Sequence, residues 1–175
     1  MSYYRDQLEN YLKTLDVKAE TVFDVGGKEK FVRGRTKSWD VKNYEVFDLP
    51  EYDLNKEIKL NKQCNLLFCL EVFEYLIDPV MAMKNIKNML AKGGEAVVSF
   101  PLVYPVHNDV NYDSLRFTET GVRRLAKHVS LIVKNIFYRK TKTGSLVKYY
   151  SEDGMKMAKG IAHDITGYIF RFSNS

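Results

Sequence analysis

At 175 residues the chain has the length of one domain and can bury a proper core. Its 45% hydrophobic and 28% charged residues exclude disorder, and no apolar run approaches the roughly 18 residues of a membrane span. The net charge of +5, with a pI near 9.0, leaves open an anionic small molecule or nucleic acid as partner.

The opening Met1-Ser2-Tyr3-Tyr4-Arg5-Asp6 lacks an apolar signal core, so export is not expected. Tyr4, Leu8, Tyr11, Leu12 and Leu15 recur at helical spacing and predict an amphipathic first helix within residues 1–20. Thr21 to Val25 reads as a short buried strand ending in Gly26-Gly27. A basic run follows, Lys28, Lys30, Arg33, Arg35 and Lys37. Ser38 to Val41 and Tyr44 to Leu49 are expected as two further strands, with only Lys42 and Asn43 between them. Asn65 to Leu70 is continuously apolar, as in a strand covered on both faces. Cys64 and Cys69 stand five apart there and point to opposite faces of such a strand, so they cannot pair. They are expected as core residues in a reducing cytoplasm.

Asp78-Pro79 predicts a helix start, with the carboxylate as N-cap and proline at the first helical position. Val80, Met83, Ile86 and Leu90 continue that helix, and Gly93-Gly94 is expected to stop it. Ala96 to Phe100 is another strand, and Leu102 to Phe117 is a long connection of the kind that carries function. Thr118 should cap a helix bearing Val122 and Leu125. Strands are expected over Ser130 to Tyr138 and Tyr168 to Phe172, with a helix over Ser151 to Asp164. Between Glu119 and Glu152 no acidic residue occurs, while Arg123, Arg124, Lys127, Lys134, Arg139, Lys140, Lys142 and Lys148 do. That stretch is either solvated surface or a basic rim for an anionic acceptor or nucleic acid. The alternation of strand and helix implies a single α/β domain over 1–175 with a mainly parallel sheet. Residues 21–100 then hold its first strands and the helix after Asp78-Pro79, and 101–175 hold the long connection and the last strands.

Ligands of open α/β sheets bind beyond the carboxyl ends of the strands. Asp24-Val25-Gly26-Gly27 ends the first strand, and glycines there let a ligand approach the backbone. Asp40 and Asp48 are placed at the ends of the next two, and Leu70-Glu71 at the end of the fourth. A carboxylate in such a place can accept ribose hydroxyls or an adenine amino group.

Phe68-Cys69-Leu70-Glu71-Val72-Phe73-Glu74-Tyr75-Leu76-Ile77-Asp78-Pro79, continuing to Leu90-Ala91-Lys92-Gly93-Gly94, resembles the central signature of class I S-adenosylmethionine-dependent methyltransferases of the small-molecule type. Phe100-Pro101 through His107-Asn108-Asp109 to Arg116-Phe117-Thr118 is similar to their substrate-loop region. The resemblance implies a doubly wound, seven-stranded-type sheet with helices on both faces, here compressed between strands one and three. It implies S-adenosylmethionine as cofactor. Asp24, Gly26 and Gly27 would lie under its methionine part, Asp40 would bind ribose, Asp48 and Leu49 would frame adenine, and Leu70 and Glu71 would line the sulfonium. Lys30 stands where the family has a third glycine, and Tyr75 where it has histidine.

A sulfonium donor is already activated, so alignment supplies much of the rate. An oxygen or nitrogen acceptor can still need a base, and His107 is the candidate by its ordinary pKa. It could equally brace the loop. Tyr104, Asp109, Tyr112 and Arg116 could orient the acceptor, and Arg116 could equally pair with a loop carboxylate. No metal site is expected. The competing readings are a methyltransferase-fold scaffold without activity and a nucleic-acid methyltransferase.

Overall fold

A computed structural model describes residues 3–27, 31–106, 112–140 and 164–175. Its backbone organises around one sheet. In chain order come α1 (Tyr3–Leu12), β1 (Asp16–Val25), β2 (Ser38–Phe47), β3 (Cys64–Cys69), a short 3₁₀ turn (Phe73–Tyr75), α2 (Pro79–Met89), β4 (Leu90–Pro101), α3 (Glu119–His128), β5 (Leu131–Lys140) and β6 (Ile165–Asn174). The strands lie in the order β2-β1-β3-β4-β6-β5. β2, β1, β3 and β4 are mutually parallel, and β6 runs antiparallel to both β4 and β5. The sheet is therefore mixed, and its strands among the described residues number six rather than the expected seven.

Alternation along the strands feeds two cores. On one face Phe23, Val25, Leu67, Cys69, Val98, Phe100, Phe170 and Phe172 pack against Met83 and Ile86 of α2 and Val122 and Ala126 of α3. On the other, Val22, Phe68, Val97 and Ile169 meet Leu8 and Leu12 of α1, with Val32 beside them. Helices thus cover both faces, as expected. Both cysteines are free and buried, and burial pushes the Cys64 thiol up to about 12.

The local signals at helix starts hold. Asp78 Oδ1 accepts from the Met81 N–H at 2.9 Å, with Pro79 opening α2. Thr118 Oγ1 accepts from the Gly121 N–H at 3.1 Å at the head of α3.

Three expectations are corrected. The two strands proposed on either side of Lys42-Asn43 are one, β2, because it is an edge strand whose polar residues face water without leaving the ladder. The helix ahead of Gly93-Gly94 stops at Met89. β4 begins at once, and the glycines lie inside it where the register with β3 shifts. Gly93 takes φ 75° there. Finally, β1 starts at Asp16, five residues before the apolar run that betrayed it. The helix expected over Ser151 to Asp164 lies outside the described residues, apart from Asp164.

The chain passes from β1 to β2 on one side and then returns beyond β1 to β3 on the other. That reversal opens a crevice above the carboxyl ends of β1 and β3.

Candidate functional site

Asp24, 2% exposed, is the penultimate residue of β1. Its carboxylate accepts from the Tyr44 hydroxyl and from the Val32 backbone N–H. Burial pushes its pKa up, and those two bonds oppose the shift while the Asp48 charge adds to it. Asp24 is thereby the floor of the turn that follows. Gly26 takes φ 74°, its N–H donating to the Phe47 carbonyl at 2.7 Å. A Cβ there would collide with Cγ2 of Val72, and one on Gly27 would collide with the Asp24 carboxylate. Only glycine fits at either place.

Two clefts meet on this turn. One, of about 290 Å³, is lined by Gly26, Asp48, Leu49, Tyr52, Val72 and Leu76 among others. The other, of about 270 Å³, is lined by Arg5, Asp24, Gly26, Gly27, Phe31, Leu70, Glu71 and Tyr75. They share Gly26, Glu71 and Tyr75, and together reach the roughly 300–1,000 Å³ of ordinary small-molecule sites. Asp48 directly follows β2, and Leu49, 66% exposed, stands at the rim of the first cleft.

Glu71 divides the two clefts. Its φ of 58° is left-handed, a strain held here by side-chain bonds. The Glu71 N–H donates to Ser99 Oγ at 2.7 Å, and that hydroxyl donates back to Oε1 at 2.8 Å. Arg139, fully buried, donates from Nη1 to Oε1 at 2.6 Å and from Nη2 to Oε2 at 3.3 Å. Its Nη2 also donates to the Tyr4 carbonyl at 2.8 Å, and its guanidinium lies 3.1 Å from the centre of the Tyr4 ring. An arginine of β5 and a tyrosine of α1 thus fix a carboxylate at the end of β3.

The architecture matches solved structures across nearly its whole length. The chain superposes on N-methyltransferase NodS from Bradyrhizobium japonicum WM9 with TM-score 0.59 at 15% identity, over 98% of this chain and 96% of that one. An S-adenosylmethionine-dependent methyltransferase from Clostridium acetobutylicum matches with TM-score 0.61 at 13% identity, over 98% and 88%. The fold is that of the class I S-adenosylmethionine-dependent methyltransferases. NodS is also known in complex with S-adenosyl-L-homocysteine. The [4+2]-cyclase SpnF shares the fold as well, with TM-score 0.62 at 11% identity over 97% and 81%. No protein-family model and no curated protein sequence matches the chain.

Within this methyltransferase fold, seven sequence-derived positions line the two clefts: Asp24, Gly26, Gly27, Asp48, Leu49, Leu70 and Glu71. Asp40 does not. It is the third residue of β2, exposed and paired in register with Lys18, whereas the glycine turn adjoins the strand's far end at Phe47. The assignment failed because it took β2 to end at Val41. Tyr112, 67% exposed, lines the first cleft. Tyr104 packs its ring 4.5 Å from that of Tyr4. Arg116 grips Asp113 at 2.5 and 3.1 Å and donates to the Tyr104 carbonyl at 3.2 and 3.3 Å, so it does pair with a loop carboxylate. His107, Asp109 and Lys30 lie outside the described residues.

Sequence reasoning passed over Arg5, Tyr44, Ser99 and Arg139. Arg139 sat in a basic run that resembled solvated surface, and its inward orientation on β5 depends on pairing with Gly167 of β6. No local signal marks it. Arg123, Arg124, Lys127 and Lys134 are exposed and line neither cleft. Lys142 and Lys148 lie outside the described residues.

Proposed function

We propose that the protein is an S-adenosylmethionine-dependent methyltransferase that methylates an oxygen or nitrogen atom of a small molecule. The observation that carries this is the pair of joined clefts at the topological switch, divided by Glu71 and floored by a turn in which a Cβ on Gly26 or Gly27 finds no room.

The residues present fit that cofactor. Asp48, at the end of β2, takes over the ribose role first given to Asp40 and accepts from its hydroxyls. Leu49, Tyr52, Val72 and Leu76 supply apolar walls for adenine. In the second cleft Arg5 and Glu71 offer opposite charges to the carboxylate and ammonium of the methionine part. Asp24 already serves Tyr44 and Val32, so its part is to hold the turn in shape. The bound cofactor supplies an activated methyl group, and the chain's task is alignment and exclusion of water. His107 stays the proposed base on the grounds of its residue type and place in the substrate loop.

A small acceptor is favoured over nucleic acid because the exposed Arg123, Arg124 and Lys127 of α3 and Lys134 of β5 line neither cleft. Among the described residues the lining of the two clefts holds Arg5 against Asp24, Asp48, Asp53 and Glu71. Titration calorimetry with S-adenosylmethionine and S-adenosylhomocysteine tests the reading. Micromolar binding of both is expected, and no binding at millimolar ligand contradicts it.

A further inference from the structure

The ends of β3 and β5, helix α1 and the loop before α3 bring five charged side chains together: Glu71, Glu74, Asp113, Arg116 and Arg139. The hydroxyls of Tyr4, Tyr75 and Tyr104 belong to the same cluster. Two ion pairs account for four of the charges. Arg139 holds Glu71 at 2.6 Å, and Arg116 holds Asp113 at 2.5 Å. Glu74 is left over. It is 5% exposed, and its Oε2 has no hydrogen-bond partner among the described residues. Its backbone carbonyl is occupied, accepting from the Ser114 and Leu115 N–H groups at 2.9 and 3.1 Å, which pins the residue in place.

A buried carboxylate without a counter-charge is an expensive feature. Burial, then the charges of Glu71 and Asp113, push the Glu74 carboxyl up to about 7, while its own backbone N–H and Arg139 oppose the rise. Glu71, the charge that acts most strongly on it, lines both clefts, whereas Glu74 is not itself among their lining residues.

We propose that Glu74 is a specificity-determining residue that makes the cleft favour the sulfonium donor over its thioether product, which lacks the sulfonium charge, acting through space from beside Glu71. The inference rests on the methyltransferase reading of the site. A cation entering the cleft offsets the repulsion between Glu71 and Glu74, and this favours the ionised form of Glu74. By linkage, ionised Glu74 strengthens binding of that cation by the same factor. The thioether product keeps the ammonium but lacks the sulfonium charge, so its coupling to Glu74 is weaker. Donor affinity therefore rises more steeply than product affinity as pH passes upward through 7, and loss of the methyl group weakens the cleft's hold on what remains. A positively charged ligand in this cleft is the counter-charge that Glu74 lacks within the described chain.

The test is calorimetry on the full chain at pH 6, 7 and 8, in two buffers of different ionisation enthalpy, so that protons are counted along with affinity. S-adenosylmethionine and S-adenosylhomocysteine are titrated into wild type and Glu74→Gln. At pH 7, wild type should release up to about half a proton more than Glu74→Gln on binding the donor, and a smaller excess on binding the product. The donor's own amino group titrates alike in both proteins, so the difference isolates Glu74. The donor-to-product affinity ratio should rise about five- to tenfold from pH 6 to pH 8 in wild type and stay flat in Glu74→Gln. Equal proton counts and equal ratios in the two proteins overturn the proposal while leaving the methyltransferase reading intact. If neither ligand binds wild type, that reading fails and takes the proposal with it. Should Glu74→Gln not fold, a flat wild-type ratio across the pH series is enough to overturn it.

Discussion

Arg139 Nη1 on the edge strand β5 donates to Glu71 Oε1 at the end of β3, at 2.6 Å, across the two strands that separate them in the sheet. Both partners serve a second purpose. The guanidinium stacks on Tyr4 and bonds its carbonyl, and the carboxylate stands between the two clefts. Removal of the cation would strand a carboxylate in a largely buried place, which typically costs about 3–5 kcal/mol. Arg139→Met should lose stability of that order in chemical denaturation and weaken cofactor binding as well. Arg139→Lys should recover little of either, since an ammonium reproduces neither the paired contacts nor the stacking.

The glycine turn makes a second prediction, because two causes of strain coincide at Gly26. A side chain there meets Val72, and the φ of 74° is unfavourable for any Cβ. Gly26→Ala should destabilise by about 1–3 kcal/mol and weaken cofactor binding. Adding Val72→Ala should remove the steric part and leave the backbone part, so the pair is less costly than the two single losses added. A double-mutant cycle by thermal unfolding measures this, and strict additivity would show that Val72 is not the obstacle.

Stability should depend on pH through Glu74. Its carboxyl titrates near 4.5 when unfolded and at about 7 when folded. Between those values the folded state binds more protons than the unfolded one, so stability falls as pH rises across the interval. The loss is roughly 3 kcal/mol and is complete by about pH 8. Glu74→Gln, which cannot ionise, should be more stable than wild type at pH 8 and lose that advantage near pH 4.5. Melting curves of both proteins across this range check the sign directly.

What the sequence made legible was local. The caps at Asp78 and Thr118 are read within four residues of themselves, and the glycines after β1 announce a turn by their own geometry. The Leu70-Glu71 pair was placed by the apolar run before it. Asp40 was misplaced because the end of β2 depends on whether Lys42-Asn43 leaves the sheet, and on an edge strand polar residues need not do so. Gly93-Gly94 resembled a helix stop, yet the pairing of β4 with β3 claims those residues for the strand. Arg139 and Glu74 lay further out of reach. An arginine in a basic run and a glutamate in a short turn become buried charges of one cluster only when β5, α1 and β3 are brought together.

The central claim is that the end of β2, with the glycine turn, binds the adenosyl cofactor through Asp48 and not through Asp40. Calorimetric titration of S-adenosylmethionine into wild type, Asp48→Ala and Asp40→Ala tests it most directly. The account predicts that Asp48→Ala loses about tenfold or more in affinity, as for one or two hydrogen bonds to a carboxylate, while Asp40→Ala binds as wild type. Unchanged affinity in Asp48→Ala, or a loss confined to Asp40→Ala, would contradict it.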